Sequence, residues 1–214
     1  MQHIMDFLTP DVKKILFIPY AGVTISCDDY LDAVAAPLSA NGYHVESIHR
    51  LKDSESLFEN FDAIAVGGGN TFHLAKILQQ KKLLKSMKNA VENGMPYIGW
   101  SAGSNITCPT IMTTNDMPIV EPSSFSGLNL IPFQINPHYT EATIPNHGGE
   151  SREMRLQEFI YVNKNVPVIG LPESSLLRLV DAELTYIGIQ GCKVFQHGKA
   201  PKIHESGGSL NWLL

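Results

Sequence analysis

The sequence predicts an α/β protein: a mixed, mainly parallel sheet with helices on both faces and a nucleophile elbow at a strand C-terminus. Three observations carry that expectation. Short apolar runs alternate with stretches of helical period along most of the chain. The runs are apolar at successive positions, as in strands covered on both faces rather than one. Two of them lead into glycine-rich turns that open helices, at residues 67–70 and 99–103. A length of 214 residues suits one α/β domain over 1–214.

The elements follow in order. Residues 15–18 read as a buried strand, and residues 28–41 as a helix with Asp28 as N-cap and Gly42 just past its end. Residues 43–48 and 61–66 are the next strands. Over 71–93 Leu74, Ile77, Leu78, Leu84, Met87 and Val91 recur at helical spacing, until Gly94-Met95-Pro96 stops the run. Residues 97–100 form another strand. The pattern loosens over 109–150, which holds many prolines and one strand candidate at 128–135; a weakly structured stretch of that length is more often functional than idle. A helix over 152–163 and a core strand over 166–171 follow. The tail, 175–195, reads as short strands in hairpins at the sheet edge, broken at Asp181-Ala182 and Gln190-Gly191.

Composition narrows the function. Sixteen Lys and Arg against 21 Asp and Glu give a net charge of -5, with no basic block, which argues against nucleic-acid or anionic-membrane binding. No apolar run approaches the ~18 residues of a bilayer span. The first residues lack the basic and long apolar regions of a signal peptide. Three widely spaced cysteines, Cys27, Cys108 and Cys192, fit a reducing, cytoplasmic setting better than a disulfide scaffold.

The strongest chemical signal is Gly99-Trp100-Ser101-Ala102-Gly103, a G-x-S-x-G elbow after an apolar strand. Such a turn projects the serine hydroxyl above the sheet edge, and the amide after it, Ala102, points to where an oxyanion would form. The plainer alternative is a serine that only caps a helix. The second signal, Gly67-Gly68-Gly69-Asn70, is neither a dinucleotide nor a P-loop motif; it predicts a turn at the ligand-binding strand edge, or tight packing with Asn70 as a helix cap.

A nucleophilic serine needs a base, and the base an orienting acid. Among eight histidines, His138 in Asn136-Pro137-His138-Tyr139 follows a strand candidate and is fixed by its neighbours; His147 is its rival. His73 lies on a helix, where a solvent or core role is the default. No histidine pair has the H-E-x-x-H spacing, so a metal site is not expected; no cofactor is expected either. The acid is either Asp116, in a polar turn, or Glu173, directly after a core strand; spacing leaves both open.

Five blocks in order, residues 66–72, 97–103, 113–120, 134–139 and 169–173, resemble the peptidase E-type α-aspartyl dipeptidases. That serine peptidase family also includes cyanophycinase-like enzymes. The resemblance runs from about residue 15 to 195. It implies Ser101 as nucleophile, His138 as general base, and Asp116 and Glu173 as the acids that have each been given the orienting role. Gly69 and Ala102 match the oxyanion amides, and Asn70 and Arg152 the groups that hold a substrate aspartate side chain. A guanidinium fork and an amide donor suit a carboxylate. Taken alone, Arg152 would be a solvated first-turn arginine.

Two departures stand out. The family begins with an extra strand, for which residues 1–10 are too short, and Met112 stands where arginine is common. The expected activity is hydrolysis of small peptides with an N-terminal α-linked aspartate. A hydrolase of β-linked aspartyl polymer and a non-catalytic binder of acidic peptides are the alternatives.

Overall fold

The computed structural model describes residues 1–52, 57–142 and 148–214. Four parallel strands, β1 (Lys14–Ile18), β2 (His44–Ser47), β3 (Ala63–Val66) and β4 (Tyr97–Gly99), form a sheet in the order β2-β1-β3-β4. The alternation of side chains along the central strands sorts its two faces. Leu16, Ile18, Ile64 and Val66 pack under α3 (Thr71–Gln80) and α4 (Leu83–Glu92), through Leu74, Ala75, Leu78, Leu83 and Met87. Ile15, Phe17, Ala63 and Ala65 point the other way, against α1 (Gln2–Phe7) and α2 (Cys27–Ser39), through Ile4, Phe7, Leu31 and Leu38. Helices therefore cover both faces.

The remaining strands form a second four-stranded sheet, ordered β10-β9-β6-β5, from β5 (Gln134–Pro137), β6 (Val168–Leu171), β9 (Cys192–Phe195) and β10 (Lys202–His204). β5 and β6 are parallel; β9 runs antiparallel to β6 and β10 to β9. Val168 and Phe195 face Leu156 and Ile160 of α6 (Arg152–Val162). Ile169, Leu171 and Val194 face the hairpin of β7 (Ser175–Val180) and β8 (Glu183–Gly188), which supplies Leu184 and Tyr186. β4 and β5 are the facing edges of the two sheets, and among the described residues no backbone ladder joins them.

Several boundaries differ from the sequence reading, each for a local reason. Helix α2 starts at Cys27 because Ser26, not Asp28, caps it: Ser26 Oγ accepts from Asp29 N and donates to Asp29 Oδ2, a reciprocal cap. The stretch expected as one helix over 71–93 is two, parted at Lys82, which takes a left-handed φ of 56°. Strand β5 begins at Gln134 rather than 128, because residues 128–130 turn onto the segment after the elbow: Leu128 N donates to Ile106 O and Asn129 N to Cys108 O. The Asp181-Ala182 hairpin forms as expected, both residues at positive φ, as a two-residue turn of matching twist requires. After Gln190-Gly191, however, the chain enters the second sheet beside β6 instead of making another edge hairpin. Residues 2–7 are helical, in keeping with the expectation that residues 1–10 supply no strand.

Candidate active site

The elbow is built at the end of β4. Ser101 has φ 53° and ψ -112°, a conformation β-carbon-bearing residues rarely adopt. The strain holds because the neighbours leave no room for relaxation. A β-carbon on Gly103 would lie 2.2 Å from Val66 O, and one on Gly99 2.4 Å from Gly103 O. Two side chains clamp the turn: Tyr97 Oη donates to Gly103 O at 2.7 Å, and Ser104 Oγ to Gly99 O at 2.9 Å. Burial pushes the Tyr97 phenol well above its ordinary value, so it stays a donor. Ser101 Oγ accepts no capping bond from the short helix α5 (Ala102–Asn105). The serine-as-cap alternative is thus not what the geometry shows.

The second glycine turn lies against the first. A β-carbon on Gly68 would meet Ser101 Cβ at 3.0 Å, and Tyr30 Oη donates to Gly68 O at 3.0 Å. Gly69 sits at φ 134°, where a side chain would strike Ala21 O. Among the described residues no backbone bond uses the Gly69 or Ala102 N–H, whereas the flanking Asn70 N donates to Ala21 O and Gly103 N to Trp100 O. Both candidate oxyanion donors are therefore uncommitted.

His138 follows β5 at φ 55°. Its Nε2 is 2.8 Å from Ser101 Oγ, and its Nδ1 bonds Glu173 Oε1. With the Nδ1 proton toward the carboxylate, Nε2 is left to accept from the serine hydroxyl. Serine, histidine and glutamate thus form one hydrogen-bonded chain, the last two fixed at the ends of the parallel neighbours β5 and β6. The structure brings Glu173, not Asp116, to the histidine. Asp116 Oδ2 instead accepts from Thr71 N at 2.7 Å and from Thr114 Oγ1 at 2.9 Å, at the start of α3. His147 lies outside the described residues. His73 is structural, its Nδ1 bonding Tyr20 O at 2.7 Å.

The two candidate substrate-holding residues differ in what they have left to offer. Asn70 caps α3, its Oδ1 accepting from His73 N at 3.0 Å, and its Nδ2 donates to Met117 O at 2.9 Å. One amide hydrogen remains, so capping and binding are compatible. Arg152 opens α6 half-buried, and its Nη1 is enclosed without a hydrogen-bond partner among the described residues. Burial, with Arg155 nearby, lowers its pKa. A partly desolvated guanidinium of this kind favours a carboxylate.

Sequence reasoning missed the supports. Lys193 of β9 bonds Glu141, just after the histidine, and Glu153 Oε2 at 2.7 Å on α6; these carboxylates raise its pKa. Asn115 bonds the Pro137 carbonyl. The buried Cys108 and Cys192 thiols are pushed up to about 12 and about 11 by burial, which removes them as rival nucleophiles. Among the described residues no cluster of His, Cys, Asp or Glu would hold a metal ion, and no helix is long and apolar enough to cross a membrane.

The model of peptidase family S51 matches residues 1–187. The chain is 49% identical over 213 residues to a peptidase E of Nostoc sp., spanning all of this chain and 88% of that one. It is 45% identical over 210 residues to the peptidase E of Shigella sonnei, spanning 97% and 92%. Among solved structures, a peptidase from an acI-B1 actinobacterium superposes with a TM-score of 0.69 at 19% identity, over 98% of this chain and 88% of that one, which shows the shared fold.

Proposed function

The chain belongs to peptidase family S51, and from that premise we propose that it is a serine-type dipeptidase releasing N-terminal α-linked aspartate from Asp-X. The observation that carries this reading is the bonded chain Ser101–His138–Glu173 beside two free amides. Ser101 Oγ attacks the aspartyl carbonyl carbon as its proton passes to His138 Nε2, and Glu173 stabilises the imidazolium. The carbonyl oxygen gathers negative charge against Gly69 and Ala102 N–H. Collapse of this intermediate expels the second residue's amine, which takes the proton from His138. Water, deprotonated by the same nitrogen, then frees aspartate from Ser101. Arg152 and the spare Asn70 hydrogen hold the side-chain carboxylate. A glutamate, one methylene longer, would carry its carbonyl out of the amides' reach. No cofactor enters these steps, and free thiols suit a cytoplasmic enzyme.

The test is release of free amino acid from Asp-Leu, Glu-Leu and β-Asp-Leu by the wild type and by Ser101→Ala. Cleavage of Asp-Leu alone, lost in the variant, is the expected result. Turnover only of the β-linked peptide would move the assignment to that linkage. Undiminished turnover in Ser101→Ala would refute the mechanism, and binding of Asp-Leu without cleavage would leave a binder.

A further inference from the structure

The serine and the histidine of the site stand on different sheets. Ser101 follows β4 and His138 follows β5, edges with no ladder between them. Something other than strand pairing must therefore hold the 2.8 Å between their side chains across the seam. One tie comes from the elbow helix, where buried Asn105 Nδ2 donates to Ile135 O at 2.9 Å. After that helix Cys108 Sγ accepts from Ile135 N at 3.1 Å and Thr110 bonds the Gln134 side chain; residues 113–117 add ties that grip both sides.

The Thr113 and Asn115 side chains reach β5. Thr113 Oγ1 donates to Ile135 O at 2.8 Å. Asn136 Nδ2 donates to Thr113 O at 2.8 Å and to Asn115 Oδ1 at 2.7 Å. Asn115 Nδ2 donates to Pro137 O at 2.6 Å, the carbonyl immediately before His138. The even-numbered side chains reach the start of α3, directly after the Gly67–Asn70 turn. Asp116 accepts from Thr71 N, Thr114 lies 3.0 Å from the Thr71 hydroxyl, and Met117 O accepts from Asn70 Nδ2 at 2.9 Å. Thr113 and Asn115 thus bond one side and Thr114 and Asp116 the other, so this short segment ties both halves without a ladder. Thr71, Thr113 and Asn136 are almost wholly buried, where hydrogen bonds are least exposed to competition from water.

We infer that residues 113–117 are a strap setting the distance between the base and the oxyanion turn, and that Asn115 is a positioning residue of His138 through the Pro137 carbonyl. The histidine needs such a tether. It sits at φ 55°, a strained conformation that persists only when its surroundings over-determine it. Asp116 then belongs to the strap's other grip, which accounts for an acid near the site that does not touch the base.

The inference rests on the serine-peptidase reading, and its test separates the two. Asn115→Leu removes both of that side chain's bonds at similar size. Asn115→Asp keeps the acceptor for Asn136 and loses the donor to Pro137. Steady-state kinetics on Asp-Leu, melting temperature, and long-range 1H–15N spectra of the imidazole nitrogens, assigned with His138→Gln, are measured on each. In both variants kcat should fall on the order of 10²-fold with KM little changed, as for a base displaced by about an ångström, and the His138 nitrogen shifts should move. Wild-type kcat and shifts in Asn115→Leu would overturn the inference. So would wild-type turnover in Asn115→Asp, or a loss of activity that tracks melting while the shifts stay put. If the wild type cleaves no peptide, the peptidase reading falls, and the nitrogen shifts alone still decide the strap.

Discussion

Replacing Glu173 by Gln tests how much the orienting acid contributes. The substitution keeps shape and a hydrogen-bond acceptor but removes the charge facing His138 Nδ1. In a buried triad the equivalent change costs about 10⁴ in kcat. Here the histidine side chain is 47% exposed and the glutamate 74%, so water screens the pair and the Coulomb part falls toward the ~1 kcal/mol of two charges 4 Å apart in water. Adding the extra strength of a charge-assisted over a neutral hydrogen bond brings the loss to about 1–3 kcal/mol. At 1.4 kcal/mol per factor of ten, kcat/KM for Asp-Leu should drop roughly 10- to 10²-fold. Coupled detection of released aspartate across a pH series, with Asp116→Asn beside it, is the assay. The reasoning fails if Glu173→Gln is as inactive as Ser101→Ala. It fails equally if Asp116→Asn, and not Glu173→Gln, displaces the pH profile.

Two further outcomes follow from side chains with unusual surroundings. Arg152→Met should raise KM for Asp-Leu more than it lowers kcat and narrow the preference for Asp-Leu over Leu-Leu. Melting should hold or rise, because a guanidinium nitrogen enclosed without a partner is removed; an unchanged KM would refute the carboxylate-binding role. Asp62 accepts from Lys14 N and Lys13 N, both at 2.8 Å, and these bonds hold its carboxyl below the usual carboxylate value. A lowered folded pKa stabilises the fold above the unfolded value and is lost as pH falls through the folded one. Asp62→Asn should therefore melt slightly lower at pH 7, by under about 4 °C for so exposed a group. That difference should shrink below about pH 4, and a constant gap from pH 7 to pH 2 would refute the assignment.

What was legible in the sequence is what local chemistry encodes. The elbow could be read because backbone crowding demands glycine two residues to either side of Ser101, and β1 and β3 because burial on both faces makes their central runs apolar. The break at Lys82 was harder. No glycine or proline marks it, but the buried positions 74, 75 and 78 are followed by 83 and 87, a step of five between Leu78 and Leu83 that no single helix keeps on one face. The reciprocal Ser26–Asp29 cap has S-x-x-D spacing and lies two residues upstream of the expected Asp28. The late start of β5 had no local signal, since residues 128–130 take their backbone partners from 106–108, 21 to 23 residues upstream.

The choice between Asp116 and Glu173 shows why a site is less legible than a fold. Asp116 sits in a polar turn and Glu173 directly after a core strand, and spacing along the chain leaves both open as partners of His138. What separates them is which strand neighbours which. Glu173 lies just past β6, the parallel partner of β5, whose Leu171 stands opposite Pro137, so the residues just beyond the two strand ends meet. Asp116 lies on a segment that grips two elements, and its side chain turns toward α3 while that of Asn115 turns toward β5. A shift of one residue would exchange Asn115 and Asp116 and bring a carboxylate against the Pro137 carbonyl, two acceptors with no proton between them. The amide at 115 and the carboxylate at 116 are thus the only order of the two in which both grips are satisfied: the side facing a carbonyl carries the donor, and the side facing a helix N–H carries the charge.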